Sequence, residues 1–577
     1  MTNSTKVRVY IKLIFTTKSP FSVCSGMDEF SDKDIIKRGD EPFIPGSTLA
    51  GVFRNYIKTN GLDSSDMSID DIDNEFFGYI IRGNSKEEHK AKQSEIIFGD
   101  AVLAEEECRD FSTNNEEDKS STSNTEIPNK KSEPKFIISF RDGVKLDDRK
   151  TAINTGKYNY EIIEKGTKFE AIIEYCGEKA DTFKELIKQI AIAINSGDLR
   201  IGSKTSRGLG YMEAEYIEKT FGKENVNKWL KFDPYCSSEW KDGNYVSSED
   251  LGSNEIYGIE VEVQIPDTLM IRDYNVDPNI IVESNSDQSG ESDCNSEQRI
   301  ACKNNSKKNQ VKSYPNIEKL DYGQLCLDDE TPVIPGTTWA GAFRHRAKII
   351  LEEILNSMGS NAIGVDVNYD KDSVRRKINE KVNRIISIAF GQIESEQNTE
   401  NAQSNNEQNS STNNISDNKK EIYGSEDDIN KKQFCKSNLS FFESEIENFT
   451  IMPITRTKID RFTGGSMHGA LFTENVCCGG ETEIKIGINK KCKAKKAVLG
   501  LIFLCLDELD DGLLAVGGET AVGRGIMKVT DIKIHNDIVK EIANDIGKDI
   551  PEDKSYDMVK KECLKSLAEE LRKNVWY

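Results

Sequence analysis

One stretch of this chain occurs twice, and that repetition constrains the fold more than any other feature. Phe43-Ile44-Pro45-Gly46-Ser47-Thr48-Leu49-Ala50-Gly51-Val52-Phe53-Arg54 returns as Val333-Ile334-Pro335-Gly336-Thr337-Thr338-Trp339-Ala340-Gly341-Ala342-Phe343-Arg344. Three echoes follow in the same order. Glu75-Phe76-Phe77-Gly78 is matched by Ile388-Ala389-Phe390-Gly391, Asp147-Asp148-Arg149-Lys150-Thr151 by Ile459-Asp460-Arg461-Phe462-Thr463, and the glycine-rich 201–210 by 516–525. Collinear echoes at a nearly constant offset mean duplication and fusion, so an activity found in one half must be sought in the other.

At 577 residues the chain exceeds what one hydrophobic core usually serves. The duplication divides it into a first domain over 1–235, a linker over 236–254, a second domain over 255–535 and a helical tail over 536–577. Thirteen cysteines are irregularly spread without a CxxC pair, which leaves structural zinc no ligand spacing. No N-terminal apolar segment or membrane-length apolar run occurs, so a cytoplasmic location, reduced thiols and no membrane partner are expected.

A net charge of −22 argues on its face against a nucleic-acid partner. Its distribution weakens the objection. Three stretches, about 104–135, 281–315 and 393–436, are rich in Ser, Asn, Gln, Glu and Asp and poor in large apolar residues. They read as disordered insertions, and the first and third carry an acidic excess. Outside them Lys and Arg gather at the repeated motifs, so local charge is the better guide.

Each half opens with an alternating strand, Val7–Phe15 or Gly258–Ile265. The Ile-Pro-Gly turn follows, with Ser47 or Thr337 where an N-cap belongs and apolar residues at helical spacing behind it. Strand segments, a second helix (Ala180–Ser196 or Lys493–Leu509) and the glycine-rich loop complete each half. The strand–helix–strand–strand–helix–strand order predicts an α+β protein of two tandem modified ferredoxin-like, RRM-like domains with inserted hairpins and disordered insertions.

The glycine-rich loops are the strongest functional signal. Gly208 and Gly210, with Lys204 and Arg207 beside them, form either an anion cradle or an ordinary turn. The matching loop keeps Gly523, Arg524 and Gly525 but has Glu519 and Val522 in place of the basic pair. The Ile-Pro-Gly turn exposes a helix N-terminus at Ser47 or Thr337, followed by Arg54 or Arg344; it is a phosphate site or a well-capped helix. Arg149 and Arg461 precede polar, Gly-containing hairpin tips with aromatics after them, suited to stacking on single-stranded RNA or lying on a plain surface hairpin. No HExxH, triad, Walker or dinucleotide motif occurs, so cleavage would fall to carboxylates ahead of the Ile-Pro-Gly turns, among them Asp28, Asp32, Asp34, Asp40, Asp321, Asp328 and Asp329.

Together, the Ile-Pro-Gly-Ser/Thr-x-x-Ala-Gly-x-x-Arg turns, the Asp-Arg-x-Thr hairpins and the glycine-rich loops resemble the RAMP superfamily of CRISPR proteins, in particular fused double backbone subunits of type III (III-D-like) effector complexes. The resemblance spans about 5–215 and 256–532. It implies a guide-RNA-binding backbone subunit whose partners are guide CRISPR RNA, single-stranded target RNA, and other RAMP and small subunits. It also implies a metal-dependent endoribonuclease in which a loop aspartate, with Mg2+ or Mn2+, cuts the target. Asp32, before Ile35-Ile36, matches that position in the first half and Asp321, by its distance to Pro335, in the second; Asp34 and Asp28 are fallbacks. The alternative within the same family is a non-catalytic RNA-binding scaffold or capping subunit.

Overall fold

The computed structural model describes residues 6–26, 31–62, 67–81, 90–104, 136–147, 151–252, 256–273, 321–327, 330–358, 371–391, 436–548, 550–551 and 555–573. The three polar insertions fall almost wholly outside this set, as do Asp28, Arg149, Asp328 and Asp329.

The principal elements of the first module are β1 (Val7–Thr17), α1 (Gly46–Asn60), β2 (Ile96–Phe98), β3 (Ile138–Leu146), β4 (Ala152–Ile163), β5 (Lys168–Gly177), α2 (Ala180–Asn195), β6 (Met212–Phe221) and β7 (Asn244–Val246). β1 pairs antiparallel with both β5 and β6, and β5 pairs with β2, so the sheet runs β6–β1–β5–β2. That is the ferredoxin-like order the sequence predicts. The alternation of β1 turns Val9, Ile11, Leu13 and Phe15 onto the helices. Leu49, Phe53 and Ile57 of α1 and Phe183, Leu186, Ile187 and Ile190 of α2 complete the same core. Burying each such side chain contributes about 1.5–3 kcal/mol.

The second module repeats the plan with β8 (Gly258–Gln264), α3 (Gly336–Met358), α4 (Lys371–Phe390), β9 (Leu439–Phe441), β10 (Ser444–Glu447), β11 (Thr450–Ile459), β12 (Ser466–Cys478), β13 (Glu481–Ile488), α5 (Lys495–Asp510) and β14 (Lys528–Ile534). β8 lies between β13 and β14, and β13 takes β9 and β10 on its other side. The tail forms α6 (Asn536–Ile546) and α7 (Ser555–Arg572). Helix α5 is apolar on nearly every face because α7 covers its outer side with Val559, Cys563, Leu567 and Leu571.

Two sequence expectations change here. The proposed linker is folded: β7 pairs with β6 at the sheet edge, Trp240 is buried and donates its indole N–H to the Pro234 carbonyl at 2.9 Å, and Leu251 enters the first core. Its polar composition reflects an edge strand with one wet face. The N-cap also shifts. Helices α1 and α3 begin at Gly46 and Gly336, and the Pro45 and Pro335 carbonyls accept the first helical hydrogen bonds. Ser47 and Thr337 therefore stand inside the first turn.

Glycine is required at both helix starts by close approach. A Cβ on Gly46 would lie 2.4 Å from the Phe98 carbonyl oxygen, and one on Gly336 would lie 2.3 Å from that of Phe441. The repeated Pro-Gly thus seats each helix directly on its sheet.

The modules meet through the first glycine-rich loop. A Cβ on Gly336 would also come within 2.6 Å of the Arg207 carbonyl oxygen, and one on Gly208 within 2.9 Å of that of Phe441. Beside this contact the Arg200 guanidinium lies 3.8 Å from the Phe442 ring centroid and donates to Ser440 Oγ at 3.1 Å. Lys165 pairs with Glu445, and Lys490 with Asp198 at 3.1 Å.

Candidate functional site

The loops ahead of α1 and α3 run beside the long hairpins β3–β4 and β11–β12, and each presents one exposed aspartate to the hairpin's returning strand. Asp32 Oδ2 accepts from the Asn159 N–H at 2.8 Å, and the Lys33 carbonyl accepts from the Glu161 N–H at 3.1 Å. Asp321 Oδ2 accepts from the Thr473 N–H at 2.8 Å, and the Tyr322 carbonyl accepts from the Asn475 N–H at 3.0 Å. The two aspartates occupy the same place in the duplicated fold. Among the described residues, neither carboxylate has another hydrogen-bond partner, so one oxygen of each remains available.

Local structure explains why these aspartates face outward and their neighbours do not. Asp34 is buried and accepts from the Ser31 N–H at 2.8 Å and the Ser31 hydroxyl at 2.7 Å, which closes the loop. It is a turn-forming residue, not an alternative site. Ile35 is buried in the first core while its N–H donates to Glu161 Oε2 at 3.0 Å, and Lys37 holds the other oxygen of Glu161 at 3.1 Å. In the second module Gln324 performs the anchoring, accepting from the Ile271 N–H at 2.9 Å.

Residues 16–213 and 294–528 match the RAMP superfamily. The chain belongs to that superfamily. One matched region falls in each module, so both are RAMP modules. No curated protein matches the chain. Among solved structures, it is similar to a chain from a cryo-EM structure of the type III-B Cmr-beta bound to cognate target RNA, at 15% identity and a TM-score of 0.24. That match covers 37% of this chain and spans 60% of the length of the other.

The glycine-rich loops of the two RAMP modules share a backbone and differ in chemistry. Lys204 and Glu519 occupy the same left-handed position, with φ of 52° and 58°. Gly210 and Gly525 close the loops at φ of 77° and 75°, where a Cβ would strike the carbonyl of Ile201 or Val516. Lys204 turns inward: its Nζ lies 2.8 Å from the Tyr160 ring centroid and 4.7 Å from that of Tyr158, with no hydrogen-bond partner. Burial, with Lys33 and Arg207 nearby, pushes its pKa down to about 7. Lys204 is therefore a poor phosphate ligand. Arg207 is exposed and remains free to serve, while Gly208 faces the second module.

Arg524, expected to hold phosphate, is buried. It pairs with Glu474 and Glu519, each at 2.9 Å, and Arg272 and Arg456 join the same two acids. Burial opposes ionisation of Glu519, but the Arg456 hydrogen bond and the charges of Arg524, Arg456 and Arg272 hold its pKa below the usual range. The second loop is thus neutralised from within, while Gly523 faces open space. Spacing showed that the basic pair was absent there, but Glu474 and Arg272 come from distant strands and left no local signal.

The arginines of the repeated turn are also engaged within the chain. Arg54 donates to Asp73 at 2.6 and 2.9 Å and to the Gly78 carbonyl at 2.9 Å. Arg344 donates to the Gly391 carbonyl at 2.8 Å. Each ties its helix to the Phe-Gly echo, so the two repeated motifs meet in the fold of each module. The α1 N-terminus has an anion of its own: Asp100 accepts from the Gly46 N–H at 2.8 Å. At the second hairpin tip, Asp460 Oδ1 accepts from the Phe462 N–H at 2.9 Å and the Thr463 N–H at 2.7 Å. That turn presents an exposed Arg461 and an almost fully exposed Phe462. Phe462 is the tip aromatic; Phe472, farther along the returning strand, lies under Arg456.

Proposed function

We propose that this chain is a guide-RNA-binding backbone subunit of a type III CRISPR effector complex, and that Asp32 and Asp321 each cut complementary target RNA once. The observation that carries the reading is the equivalence of the two aspartates: one exposed carboxylate per RAMP module, held at the same point of the same hairpin. A carboxylate so placed can orient a target 2′-hydroxyl and accept its proton as O2′ bonds to phosphorus and the bond from phosphorus to O5′ breaks. The hairpin beside it would set which nucleotide presents its phosphate.

Among the described residues no group of three or more His, Cys, Asp or Glu gathers. One carboxylate per site suits a hydrated Mg2+ or Mn2+ shared with substrate phosphate, rather than a cation caged by protein. When bound, that cation would offset charge on the phosphate; Asp32 and Asp321 are the residues that would hold it. Exposed Arg207, Arg461 and Phe462 supply phosphate contact and a stacking face for the guide or its duplex. The intrachain joint also indicates how other RAMP subunits would attach. The second loop, with Val522 exposed, matches the loop that fills the α3 socket, whereas the nearest atoms to Gly46 at the corresponding socket, among the described residues, belong to Phe98 and Gly99 of its own module.

The test uses the complex assembled with guide RNA and a complementary target. Two cuts attributable to this chain are expected. Asp32→Ala removes one and Asp321→Ala the other with target affinity retained, and chelation of divalent metal removes both. A double variant that keeps every cut would reduce the chain to a scaffold.

A further inference from the structure

Asp32 and Asn159 hold one another twice. The Asp32 N–H donates to Asn159 Oδ1 at 2.9 Å, and the Asn159 N–H donates to Asp32 Oδ2 at 2.8 Å. The second module closes the same ring without a side chain: the Asp321 N–H donates to the Thr473 main-chain carbonyl at 2.9 Å. The Thr473 hydroxyl is instead paired with that of Thr455 at 2.9 Å. A side-chain amide therefore does in the first module what the backbone does in the second.

Asn159 is well placed for this. Its neighbours Tyr158 and Tyr160 stack at a centroid distance of 6.0 Å, and Lys204 lies across both rings. Tyr160 packs with Ile162 and Leu209 in a small buried cluster. The strand beneath Asn159 is thus fixed by packing, whereas Asp32 stands exposed on a loop whose turn is closed through Ser31 and Asp34 and which meets the same strand again at Glu161. An exposed loop carboxylate keeps one orientation only if something rigid holds its backbone as well as its oxygen.

We propose that Asn159 is the positioning residue for Asp32, clamping its main chain so that the free carboxylate oxygen faces the target, and that for Asp321, among the described residues, the Thr473 main chain has this role in place of a side chain. The proposal rests on the cleavage reading above and assigns the two sites different vulnerabilities. Asn159→Ala removes the acceptor for the Asp32 N–H and leaves the Asn159 N–H in place.

In the assembled complex, single-turnover cleavage at saturating target should show the Asp32 cut slowed roughly 10- to 100-fold by Asn159→Ala, the range for losing a group that orients a functional ligand. Target affinity and the Asp321 cut should not change, and the Mn2+ concentration needed for half-maximal rate should rise for the Asp32 cut alone. Thr473→Val should leave the Asp321 cut at its normal rate. A normal Asp32 cut in Asn159→Ala overturns the proposal; so does loss of both cuts or of target affinity, which would mark a general disturbance of the hairpin. An Asp321 cut slowed as strongly by Thr473→Val also overturns it. Hydrogen exchange of the peptide containing Asp32 supplies a readout independent of activity, with the Asp32 amide exchanging faster in Asn159→Ala. If Asp32→Ala keeps its cut, the cleavage reading fails, and unchanged exchange in Asn159→Ala would dispose of the clamp as well.

Discussion

Glu474 is the test of how the second module manages its charges. It has no exposed surface and faces Arg272, Arg456 and Arg524, and among the described residues Glu519 is the other acid of the cluster. Glu474→Gln keeps the shape and removes one of two negative charges opposite three guanidiniums. Breaking a buried ion pair from one side costs roughly 3–5 kcal/mol, because the remaining charges stay desolvated without compensation. Arg272 and Arg456 keep 28% of their side-chain surface, so water screens part of the excess and the lower end applies. A loss of about 3 kcal/mol corresponds to a fall of roughly 6–12 °C in the melting midpoint of a domain this size. The effect should be confined to the second module, whose core is separate from the first. Hydrogen exchange along β12 and β13 under increasing denaturant would measure it, with β4 and β5 as the internal control. The first module indicates a rescue. Leu209, at the loop position of Arg524, packs with Tyr160 and Ile162, so the site tolerates an apolar solution. Glu474→Gln with Arg524→Leu should recover part of the lost stability, a coupling that distant sites would not show. A loss below about 1 kcal/mol for Glu474→Gln, in the range of exposed pairs, would refute the reasoning.

Glu443 lies at the joint between modules, where burial pushes its pKa up to about 7, with Arg141 opposing and Glu164 and Glu445 adding to the rise. A carboxyl with a raised folded-state pKa contributes stability below its unfolded value, and that contribution is lost as pH rises through about 7. The joint should weaken as pH rises from about 5 to 7 and level off above that in the wild type, and not in Glu443→Gln, read as exchange protection of 336–345 at each pH. Lys204 has the opposite sign: its pKa is lowered to about 7, so the penalty for charging it is complete below that pH and fades as pH rises toward its unfolded value. Lys204→Met should raise first-module stability near pH 7 without changing the salt dependence of guide-RNA binding, whereas Arg207→Ala should reduce that salt slope by about one phosphate contact; equal slopes for the two variants would contradict the assignment.

Periodicity and repetition in the chain were enough to establish two ferredoxin-like modules, because strands and helices must each turn an apolar face to one core, and a duplicated pattern must do so twice. The resemblance to the RAMP family singled out Asp32 and, by its distance to Pro335, Asp321 among several loop aspartates, and the fold sets both against the returning strand of a hairpin. Charge was a poorer guide. Arg54, Arg344, Arg524 and Lys204 all looked like phosphate ligands in the sequence, yet each is engaged by a partner within the chain, by Asp73 and the Gly78 carbonyl, the Gly391 carbonyl, Glu474 with Glu519, or two tyrosine rings. Whether a cation serves a ligand or the fold depends on what stands opposite it, and those partners come from segments as far apart as Arg272 and Glu519. The folded linker and the contact between Gly208 and the second module have the same origin. Local sequence dictates which elements form; only their packing decides which polar groups are left facing solvent, because every buried charge must find its partner within the chain.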